Sequence, residues 1–557
     1  MQATGTNVKT IIEGTKQFLV PLFQRTYVWD KTNVGILWRD IEELYETGPG
    51  ATKEHFIGSF VTMPDDTTPT ISRFILIDGQ QRMTTLLLFL AAVRQVALQR
   101  QDVPLAAEIE NLYLSNPFAA GFTEKFIPTK GDRAEFVAAM TGIPSANPTG
   151  PSLLRDAFVL AKKLVDGKDE SGQPFDLRRL KDILITSLSL VSITLSSTDD
   201  PYVIFQSLNG TGVELTQADL IRNYFLMRLP VPQQEPVYDN TWLPMQNGLN
   251  HPGQLPDFFR HFLSKDGSLA NLNSLYSELK SRVDKDCPTT TEVEDYLMTT
   301  AKFARHYRAI LNPDLEPHPA VRKRLHRLNE WVVTVAHPLM LNLYEDYTEQ
   351  RLPADVFAEM LADIESFVVR RYFCNIPTNR LNKVFVSAYK DTVPPNGGAA
   401  HQRLDTLRAY LIQQDWPEDA RFEQGFKKYA IYKDKLHCRM VLRLLEVAEG
   451  HHEVVGFDAL TIEHVMPQTL TPAWEQMLGP DYARVYNENL NSIGNLTLTG
   501  YNPALSNDDF LTKKAIYAAS NVTLNSHFAP LTQWTETEIV ERGDYLAAHA
   551  AQIWERP

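Results

Sequence analysis

The sequence predicts a multidomain α+β protein, and three observations lead to that prediction. The chain has 557 residues and a mass of 63.2 kDa, whereas a single hydrophobic core stops growing near ~250–300 residues. Strand-like runs occur early in the chain and again after Gly450. Between them, apolar residues recur at helical spacing. We therefore expect three parts, at residues 1–230, 231–450 and 451–557, of which the middle one is a helical connector and the last is mostly helical.

The first part combines short strands with helices. Residues 18–20 are expected to be extended, because Pro21 follows and a residue before proline avoids the helical region. Residues 74–77 form a strand that ends at the turn signal Asp78-Gly79, and the residues after it, 82–99, are strongly helix-forming. The same patterns predict further strands at 56–62 and 190–195, and further helices at 33–45, 202–208 and 216–228.

The rest of the chain is predicted mainly from helical spacing. Helices are expected at 292–311, 321–345, 353–372 and 402–413, punctuated by proline and glycine. A short strand at 460–465 is then followed by turns rich in Asn, Gly and Pro, and by helices beyond them.

Composition excludes several classes of protein. Hydrophobic residues make up 43% of the chain and charged residues 22%, which excludes wholesale disorder. The three cysteines are far apart and predict neither a disulfide framework nor a CxxC zinc site. The longest apolar run, 86–93, is far shorter than the ~20 residues of a membrane span, and the start lacks a secretory signal. We expect a cytoplasmic protein with no membrane partner.

Charge gives a mixed message about nucleic acid. The formal net charge is −14, whereas nucleic-acid-binding proteins are more often basic. An acidic nuclease can still confine its basic side chains to the groove that meets phosphate. The basic groups at 322–327 and Arg370-Arg371 fit either a solvated helix face or a contact with the DNA backbone.

The first candidate site is the junction from Asp78 to Arg82. A strand, a glycine turn and a helix start point free backbone N–H groups and the positive end of the helix dipole at one place. Arg82 adds a guanidinium suited to paired phosphate oxygens, and Asp78 could hold a metal or orient water. The chain contains no G-x-x-x-x-G-K-[ST], which excludes a P-loop.

The second candidate site begins at Glu463-His464. A carboxylate is a good ligand for a hard cation such as Mg²⁺, and a neutral imidazole is a natural general base near neutral pH. About thirty residues later comes Gly494-Asn495, which is followed by Asn502. Asn507, Phe510, Lys513 and Lys514 come next, on an expected helix.

The combination of motifs resembles a known family. Four motifs lie in residues 8–228: FQRTYVW at 23–29, HFIGS at 55–59, IDGQQR at 77–82 and FQSLNGTG at 205–212. They resemble the N-terminal domain of GmrSD-type, modification-dependent (type IV) restriction enzymes, a relative of the ParB and sulfiredoxin fold. The second site, with Glu-His-x-x-Pro, Gly-Asn-Leu, Asn and Lys in order, resembles the C-terminal HNH nuclease domain of that family, a ββα-metal finger.

For the first site, the resemblance implies binding and hydrolysis of a nucleoside triphosphate. The implied phosphate-binding residues are Asp78, which also counts as catalytic, and Gly79, Gln80, Gln81 and Arg82, with Gln24 and Arg25 lining the same cleft. GTP, ATP, CTP and UTP all remain open. Tyr27 and Trp29 are either core aromatics or part of a pocket, and Asn209 and Gly212 are expected to serve a turn.

For the second site, the resemblance implies phosphodiester hydrolysis with Mg²⁺ or Mn²⁺. His464 would deprotonate the attacking water, and Asn495 would hold the loop and orient His464. Glu463 and Asn502 are the implied metal ligands, with Asn507 as the competing third position. Lys513 or Lys514 would stabilise the charge that develops on phosphate.

The function implied is that of a modification-dependent restriction endonuclease in anti-phage defence, with a nucleotide-regulated HNH nuclease. Its partners would be modified double-stranded DNA, such as glucosylated hydroxymethylcytosine DNA, and a nucleoside triphosphate; a homodimer is left open. The alternatives are a phosphorothioate-sensing NTPase and DNA-nicking nuclease of the same architecture, like the SspE proteins, and a non-catalytic DNA-binding scaffold. An RNA-cutting toxin is a weaker alternative.

Overall fold

The computed structural model describes the chain except for residues 1, 23, 49–52, 66–70, 120, 145–149, 197–215, 250, 252, 395–396, 451–455 and 501–504. It divides into two compact units. The first unit contains Met1–Pro244 and Tyr276–Met298, and the second contains Met245–Leu275 and Thr299–Pro557. The predicted α+β class is confirmed. The predicted helix at 202–208, with Asn209 and Gly212, lies outside the described residues.

A six-stranded mixed sheet organises the first unit. Its order is β1-β6-β3-β4-β2-β5. The pairs β1–β6 and β3–β4 are antiparallel, and the other three pairs are parallel. The strands are β1 (Gln2–Asn7), β2 (Lys16–Leu19), β3 (His55–Asp65), β4 (Ser72–Asp78), β5 (Phe126–Ile127) and β6 (Leu188–Thr194).

Helices pack on this sheet. In chain order they are α1 (Val8–Ile12), α2 (Lys31–Glu46), α3 (Gln80–Gln99), α4 (Val103–Ile109), α5 (Arg133–Thr141), α6 (Leu153–Val165), α7 (Leu177–Asp182), α8 (Gln217–Arg228) and α9 (Val231–Val237). Single π-helical turns are found at Glu110–Leu114, Ile183–Ser187 and Tyr238–Trp242.

Helix α3 forms the centre of the first core. Every side chain from Leu86 to Val93 is buried, as expected for a helix that is apolar on all sides. Strand β4 separates two faces of the sheet, because successive side chains point in opposite directions. Leu76 belongs to the main core with α3, whereas Ile77 packs with Val61 and Leu195 on the other face.

The second unit is almost entirely helical. After α9 the helices of the chain are α10 (Leu243–Gly248), α11 (Gln254–Ser264), α12 (Leu275–Asp286), α13 (Thr290–Leu311), α14 (Pro319–Glu330), α15 (His337–Thr348), α16 (Ala354–Phe373), α17 (Leu381–Thr392), α18 (Ala400–Gln413), α19 (Asp419–Lys428), α20 (Lys435–Ala448), α21 (Pro472–Leu478), α22 (Tyr482–Asn489), α23 (Phe510–Tyr517) and α24 (Glu536–Ile553). Of these, α12 from Tyr276 onward and the start of α13, as far as Met298, belong to the first unit. Short 3₁₀ turns lie at Leu272–Ser274, Pro313–Leu315, Thr334–Ala336, Ile431–Lys433, Phe457–Ala459, Ile493–Asn495 and Thr523–Phe528.

The prediction of one helix at 321–345 was wrong. The chain breaks between α14 and α15, where Val332 adopts φ +53°. Pro338 is the second residue of α15, a position in which its missing N–H costs no helical hydrogen bond. The apolar periodicity continues through the break because both helices bury a face in the same unit.

A two-stranded antiparallel sheet lies in the second unit. Strand β7 (Thr461–His464) pairs with β8 (Leu496–Thr499), so that Glu463 lies opposite Thr497 and His464 opposite Leu496. Helix α23 follows them in the chain. In the described part of the chain, no helix is both long and apolar enough to cross a membrane.

Candidate functional site

Gly79 makes the first junction possible. It has φ +98° and precedes the first turn of α3. A Cβ at this position would lie 2.9 Å from Cδ2 of Phe60 and 3.2 Å from the carbonyl oxygen of Ser59. Both the left-handed backbone and the close approach therefore require glycine. The result is a long helix whose N-terminal N–H groups start directly beside Asp78.

The charged side chains of this junction bind one another. Arg82 Nη2 lies 3.1 Å from Asp78 Oδ2, and Arg82 Nη1 donates to the carbonyl oxygen of Ile57 at 2.8 Å. Ser59 Oγ donates to the same Asp78 oxygen at 3.3 Å. About a quarter of the Arg82 side chain remains exposed (27%). A pre-positioned guanidinium of this kind suits an anionic oxygen that approaches from solvent.

The glutamines have other partners. Gln24 Nε2 donates to the carbonyl oxygen of Ile77 at 2.7 Å. Gln81 accepts from the backbone N–H of Val28 at 2.9 Å and donates to the carbonyl oxygen of Thr26 at 3.2 Å. These hydrogen bonds tie residues 24–28 to the junction. The predicted contact of Gln24 and Gln81 with a nucleotide stays a prediction.

Gln80 and the two aromatics differ in what they offer a ligand. Gln80 is buried, and its Oε1 has no hydrogen-bond partner among the described residues. Tyr27 is a core residue, whose hydroxyl lies 2.7 Å from Thr85 Oγ1 and whose pKa burial raises. Trp29 is partly buried against the same core.

Arg25 lies in a charged cluster that sequence reasoning missed. Burial lowers the pKa of its guanidinium, while Asp219 and Asp78 oppose that effect and Arg222 adds to it. Arg222 Nη2 is 2.9 Å from Asp219 Oδ1, and both lie on α8. The only sequence signal was an Asp and an Arg three residues apart, which is typical of an ordinary helix surface pair. With Arg82, three arginines and two carboxylates surround the junction.

His464 lies at the end of β7 and is buried. The edge of its ring meets Tyr432, with the centroids 4.2 Å apart. Its Nδ1 is 3.2 Å from the side-chain amide of Gln468, and its Nε2 is buried and makes no hydrogen bond with a described residue. Burial lowers the pKa of His464 to about 4, against a smaller opposing effect of Asn491. The imidazole is therefore neutral at pH 7.

Asn495 holds the loop that follows His464. Its Oδ1 accepts from the backbone N–H of Met466 at 2.7 Å and from Trp534 Nε1 at 3.1 Å. Its Nδ2 donates to the carbonyl oxygens of Met466 and Leu490, both at 3.0 Å. These bonds fix the backbone two residues beyond His464. A consequent orientation of the imidazole stays a prediction.

Glu463 and Lys513 form a buried ion pair. Lys513 Nζ is 2.6 Å from Glu463 Oε1 and donates to the carbonyl oxygen of His464 at 2.8 Å. The lysine side chain is completely buried (0% exposed). Burial raises the pKa of Glu463, and the Lys513 charge opposes that rise. The pair ties α23 to β7, and gives no support to a contact of Lys513 with phosphate.

The described residues do not form a divalent-metal site. They include no group of three or more His, Cys, Asp and Glu side chains suited to a metal ion. Glu463 is already paired with Lys513, and Asn502 lies outside the described residues. Asn507 is exposed and precedes α23 rather than lying on it. Lys514 lies on α23, and its Nζ donates to the carbonyl oxygen of Leu531 at 2.7 Å.

The predicted DNA contact of Arg370 was wrong, as was its alternative of a solvated face. Arg370 is completely buried; its Nε donates to the carbonyl oxygen of Trp554 at 2.6 Å, and Nη1 lies 2.7 Å from Asp419. Arg371 donates to the carbonyl oxygen of Gln414 at 2.7 Å. Both arginines serve the core of the second unit.

Comparison with protein families gives two matches, in the order that the motifs predicted. The model described as GmrSD restriction endonuclease, N-terminal domain, matches residues 8–226, which include the junction at Asp78. The model described as GmrSD restriction endonucleases, C-terminal domain, matches residues 416–549, which include His464, Asn495 and Lys513. A comparison with curated proteins finds no match.

Proposed function

The chain belongs to the GmrSD restriction endonuclease family, and from that premise we propose that this type IV restriction endonuclease cuts modified DNA with His464 as its general base. The observation that carries the proposal is the buried, neutral imidazole whose Nε2 has no hydrogen-bond partner among the described residues. It lies in the matched C-terminal domain, at the end of a strand.

The proposed step is hydrolysis of a phosphodiester. His464 Nε2 takes a proton from water, the water oxygen attacks phosphorus, and the bond from phosphorus to the leaving oxygen breaks. The leaving oxygen takes up a proton from solvent, and His464 returns its proton to solvent. The structure has the amide nitrogen of Gln468 beside Nδ1. Nε2 can act as the base once that amide is turned over, so that its oxygen accepts a proton from Nδ1. The charge of a bound phosphate would raise the pKa of His464 and so make it a stronger base than in the free protein.

The remaining residues of this site would position the base. Asn495 holds the backbone after His464, and Lys513 holds the carbonyl oxygen of His464 itself. A divalent cation would supply charge stabilisation and a positioned water. Since the described residues do not complete a site for it, its ligands stay a prediction and chelation provides the test.

For the N-terminal domain we propose binding and hydrolysis of a nucleoside triphosphate at the junction. The supports are the start of a twenty-residue helix beside Asp78, the partly exposed Arg82 guanidinium and the half-buried Arg25. A helix N-terminus together with guanidinium groups is a common arrangement for phosphate. We further propose that the nucleotide state regulates the nuclease by shifting the population of its productive conformation.

The test is cleavage of matched plasmids that are unmodified, glucosylated on hydroxymethylcytosine or phosphorothioated. Each is incubated with Mg²⁺ or with EDTA, with and without nucleoside triphosphate. We expect His464→Ala to abolish cleavage, a loss of at least 10²-fold for a missing general base, and His401→Ala, which changes an exposed histidine of α18, to cleave like the parent. Equal cleavage by His464→Ala and the parent would refute the role of His464.

The same plasmids separate the remaining alternatives. Nicked rather than linear product on phosphorothioated DNA would favour the sensing and nicking enzyme. If Asp78→Ala lost nucleotide hydrolysis yet cleaved modified DNA at the parent rate, regulation by nucleotide would be wrong.

A further inference from the structure

A cavity of about 670 Å³ lies within the first unit, and neither Asp78 nor Arg82 is among the residues that line it. Its floor is the face of the sheet that carries Ile75 and Ile77, with Leu19 of β2 beside them. This is the face that does not pack on α3, because Leu76 takes that side. Tyr224 and Met227 of α8 form the facing wall. The volume falls in the range of ordinary small-molecule pockets, roughly 300–1,000 Å³.

The rim of the cavity is charged, and most of its charges are paired. Arg228 Nη1 and Lys280 Nζ both contact Asp284, at 2.5 and 2.6 Å. Near the rim residue Glu235, Lys130 contacts Asp239 at 2.6 Å and Glu235 itself at 3.6 Å. The carboxylates near the rim are therefore already neutralised by neighbouring cations.

Arg133 is the exception. It lines the cavity, and in the described part of the chain it contacts no carboxylate. Its Nε is buried without a hydrogen-bond partner among the described residues, and its guanidinium lies 4.7 Å from the centre of the Phe122 ring. An arginine nitrogen that is buried and unsatisfied is costly, and an anion would satisfy both its charge and its hydrogen bond.

We propose that this cavity binds an amphipathic monoanion, with an apolar body against Leu19, Ile75 and Met227 and one carboxylate or sulfonate on Arg133. Three cations (Arg133, Arg228 and Lys280) and one carboxylate (Glu235) line the cavity. Asp284, which Arg228 and Lys280 share, offsets a second charge, which leaves an excess of one positive charge. A single anionic group balances that excess, and the apolar floor accommodates the rest of the molecule. Inorganic phosphate, which has no apolar body, would gain little there.

Helix α8 connects this cavity to the first site without merging the two. Its first half carries Asp219 and Arg222 beside Arg25, and its second half turns Tyr224 and Met227 into the cavity. The proposed ligand is therefore a second one, and its binding does not depend on the nuclease function proposed above.

The test is binding of the fluorescent probe 8-anilinonaphthalene-1-sulfonate to the full chain. We expect saturable binding to one site, competition by octanoate and no competition by inorganic phosphate. Arg133→Met keeps the apolar stem and removes the charge, and should weaken the probe roughly tenfold or more, as for the loss of a charge-assisted hydrogen bond. Met227→Trp should fill the cavity and weaken binding of the probe further. Arg178→Met, which breaks an exposed pair with Asp102, is the matched control.

Melting midpoints of all variants establish that they fold, and if Met227→Trp does not fold, Arg133→Met alone decides. Parent-like affinity in Arg133→Met would overturn the proposal, as would displacement of the probe by phosphate. If Arg82→Met lost probe binding while Arg133→Met bound the probe like the parent, the probe would bind at the junction instead. This result would also overturn the proposal.

Discussion

Gly58 has no side chain, and this leaves room for the side chain of Arg82. The backbone has φ +104°, and a Cβ built there would lie 1.9 Å from Arg82 Nη1. Arg82 can therefore reach Ile57 and Asp78 only because residue 58 is glycine. The HFIGS motif of β3 and the IDGQQR motif of β4 are thus two halves of one arrangement.

We predict that Gly58→Ala displaces the Arg82 guanidinium and weakens nucleotide binding. The strained positive φ should also cost about 1–3 kcal/mol of unfolding free energy. Gly5→Ala is the control, since nothing lies within 4 Å of a Cβ there. Isothermal titration with nucleoside triphosphate and thermal melting measure the two effects. Parent-like binding by Gly58→Ala would mean that Arg82 is not needed for phosphate.

The Glu463–Lys513 pair allows folding and catalysis to be separated. Lys513→Met would leave a buried carboxylate without its cation, at a cost of about 3–5 kcal/mol. The double variant Glu463→Gln/Lys513→Met should recover most of that loss, as measured by denaturant unfolding. If the folded double variant cuts DNA at the parent rate, both residues are structural. If it is folded but inactive, the predicted catalytic or metal-binding roles regain support.

Sequence reasoning identified these positions better than it identified their partners. The motifs located His464, Asn495 and the Asp78–Arg82 junction, because residue types and spacing carry that information. They did not reveal that Gln81 binds backbone or that Lys513 is buried. An amide or an ammonium group suits many partners, and the one it meets is decided by distant residues that the fold brings close.

At the level of elements, the prediction of α3 was close, whereas the break between α14 and α15 and the edge strands of the sheet were missed. Helix α3 was predicted at 82–99 and spans Gln80–Gln99. Strands β1 and β5 were missed. β1 is an exposed edge strand whose polar sequence QATGTN lacks a buried face, and β5 has only two residues. Both exist because a neighbouring strand pairs with them, a contact that local sequence does not record.

Helices α11 and α15 each contribute one buried histidine to a shared contact. This contact predicts that the stability of the second unit depends on pH. The rings of His261 and His337 are 5.0 Å apart. Burial lowers the pKa of both, that of His337 to about 4, and the charge of Arg260 adds to the effect on each. His337 also lowers the pKa of His261. The unfolded chain then binds more protons than the folded one between about pH 6.5 and 4.

We therefore expect the second unit to lose stability as the pH falls through that window. His337→Gln should flatten the dependence of its unfolding free energy on pH, whereas His326→Gln, on an exposed helix face, should leave the slope unchanged. Denaturant titrations at several pH values measure this dependence of the unfolding free energy on pH. Identical slopes in the parent and His337→Gln would contradict the assignment to this histidine.

At the scale of the whole molecule, the C-terminal match ends before its fold does. The matched residues stop at 549, yet Trp554 is buried among Phe373, Phe422 and Phe426. Ser366 and Arg370 donate to its carbonyl oxygen, and its Nε1 donates to Glu365 Oε1 at 2.8 Å. The compact second unit accordingly includes most of the helical connector, namely Met245–Leu275 and the residues from Thr299 onward.

We predict that truncation of the chain after residue 549 lowers the free energy of unfolding of the second unit. Removing Trp554 forfeits about 3–5 kcal/mol from its side chain alone. It also takes one hydrogen-bond partner from the buried Arg370 and one from the buried Glu365. Truncation after Trp554, which removes only residues 555–557, is the control. Limited proteolysis of the second unit measures the difference. Equal resistance of the two truncated chains would refute the prediction.

The burial of Trp554 also orders events during synthesis. The sheet of the first unit needs strands that end with β6 at Thr194, and domains fold in the order in which they leave the ribosome. The second unit, in contrast, lacks the contacts of Trp554 with Phe373, Phe422 and Phe426 until Trp554 has been made. The first unit is thus expected to be folded while the second is still incomplete, so that a nascent chain passes through its synthesis without a finished C-terminal domain.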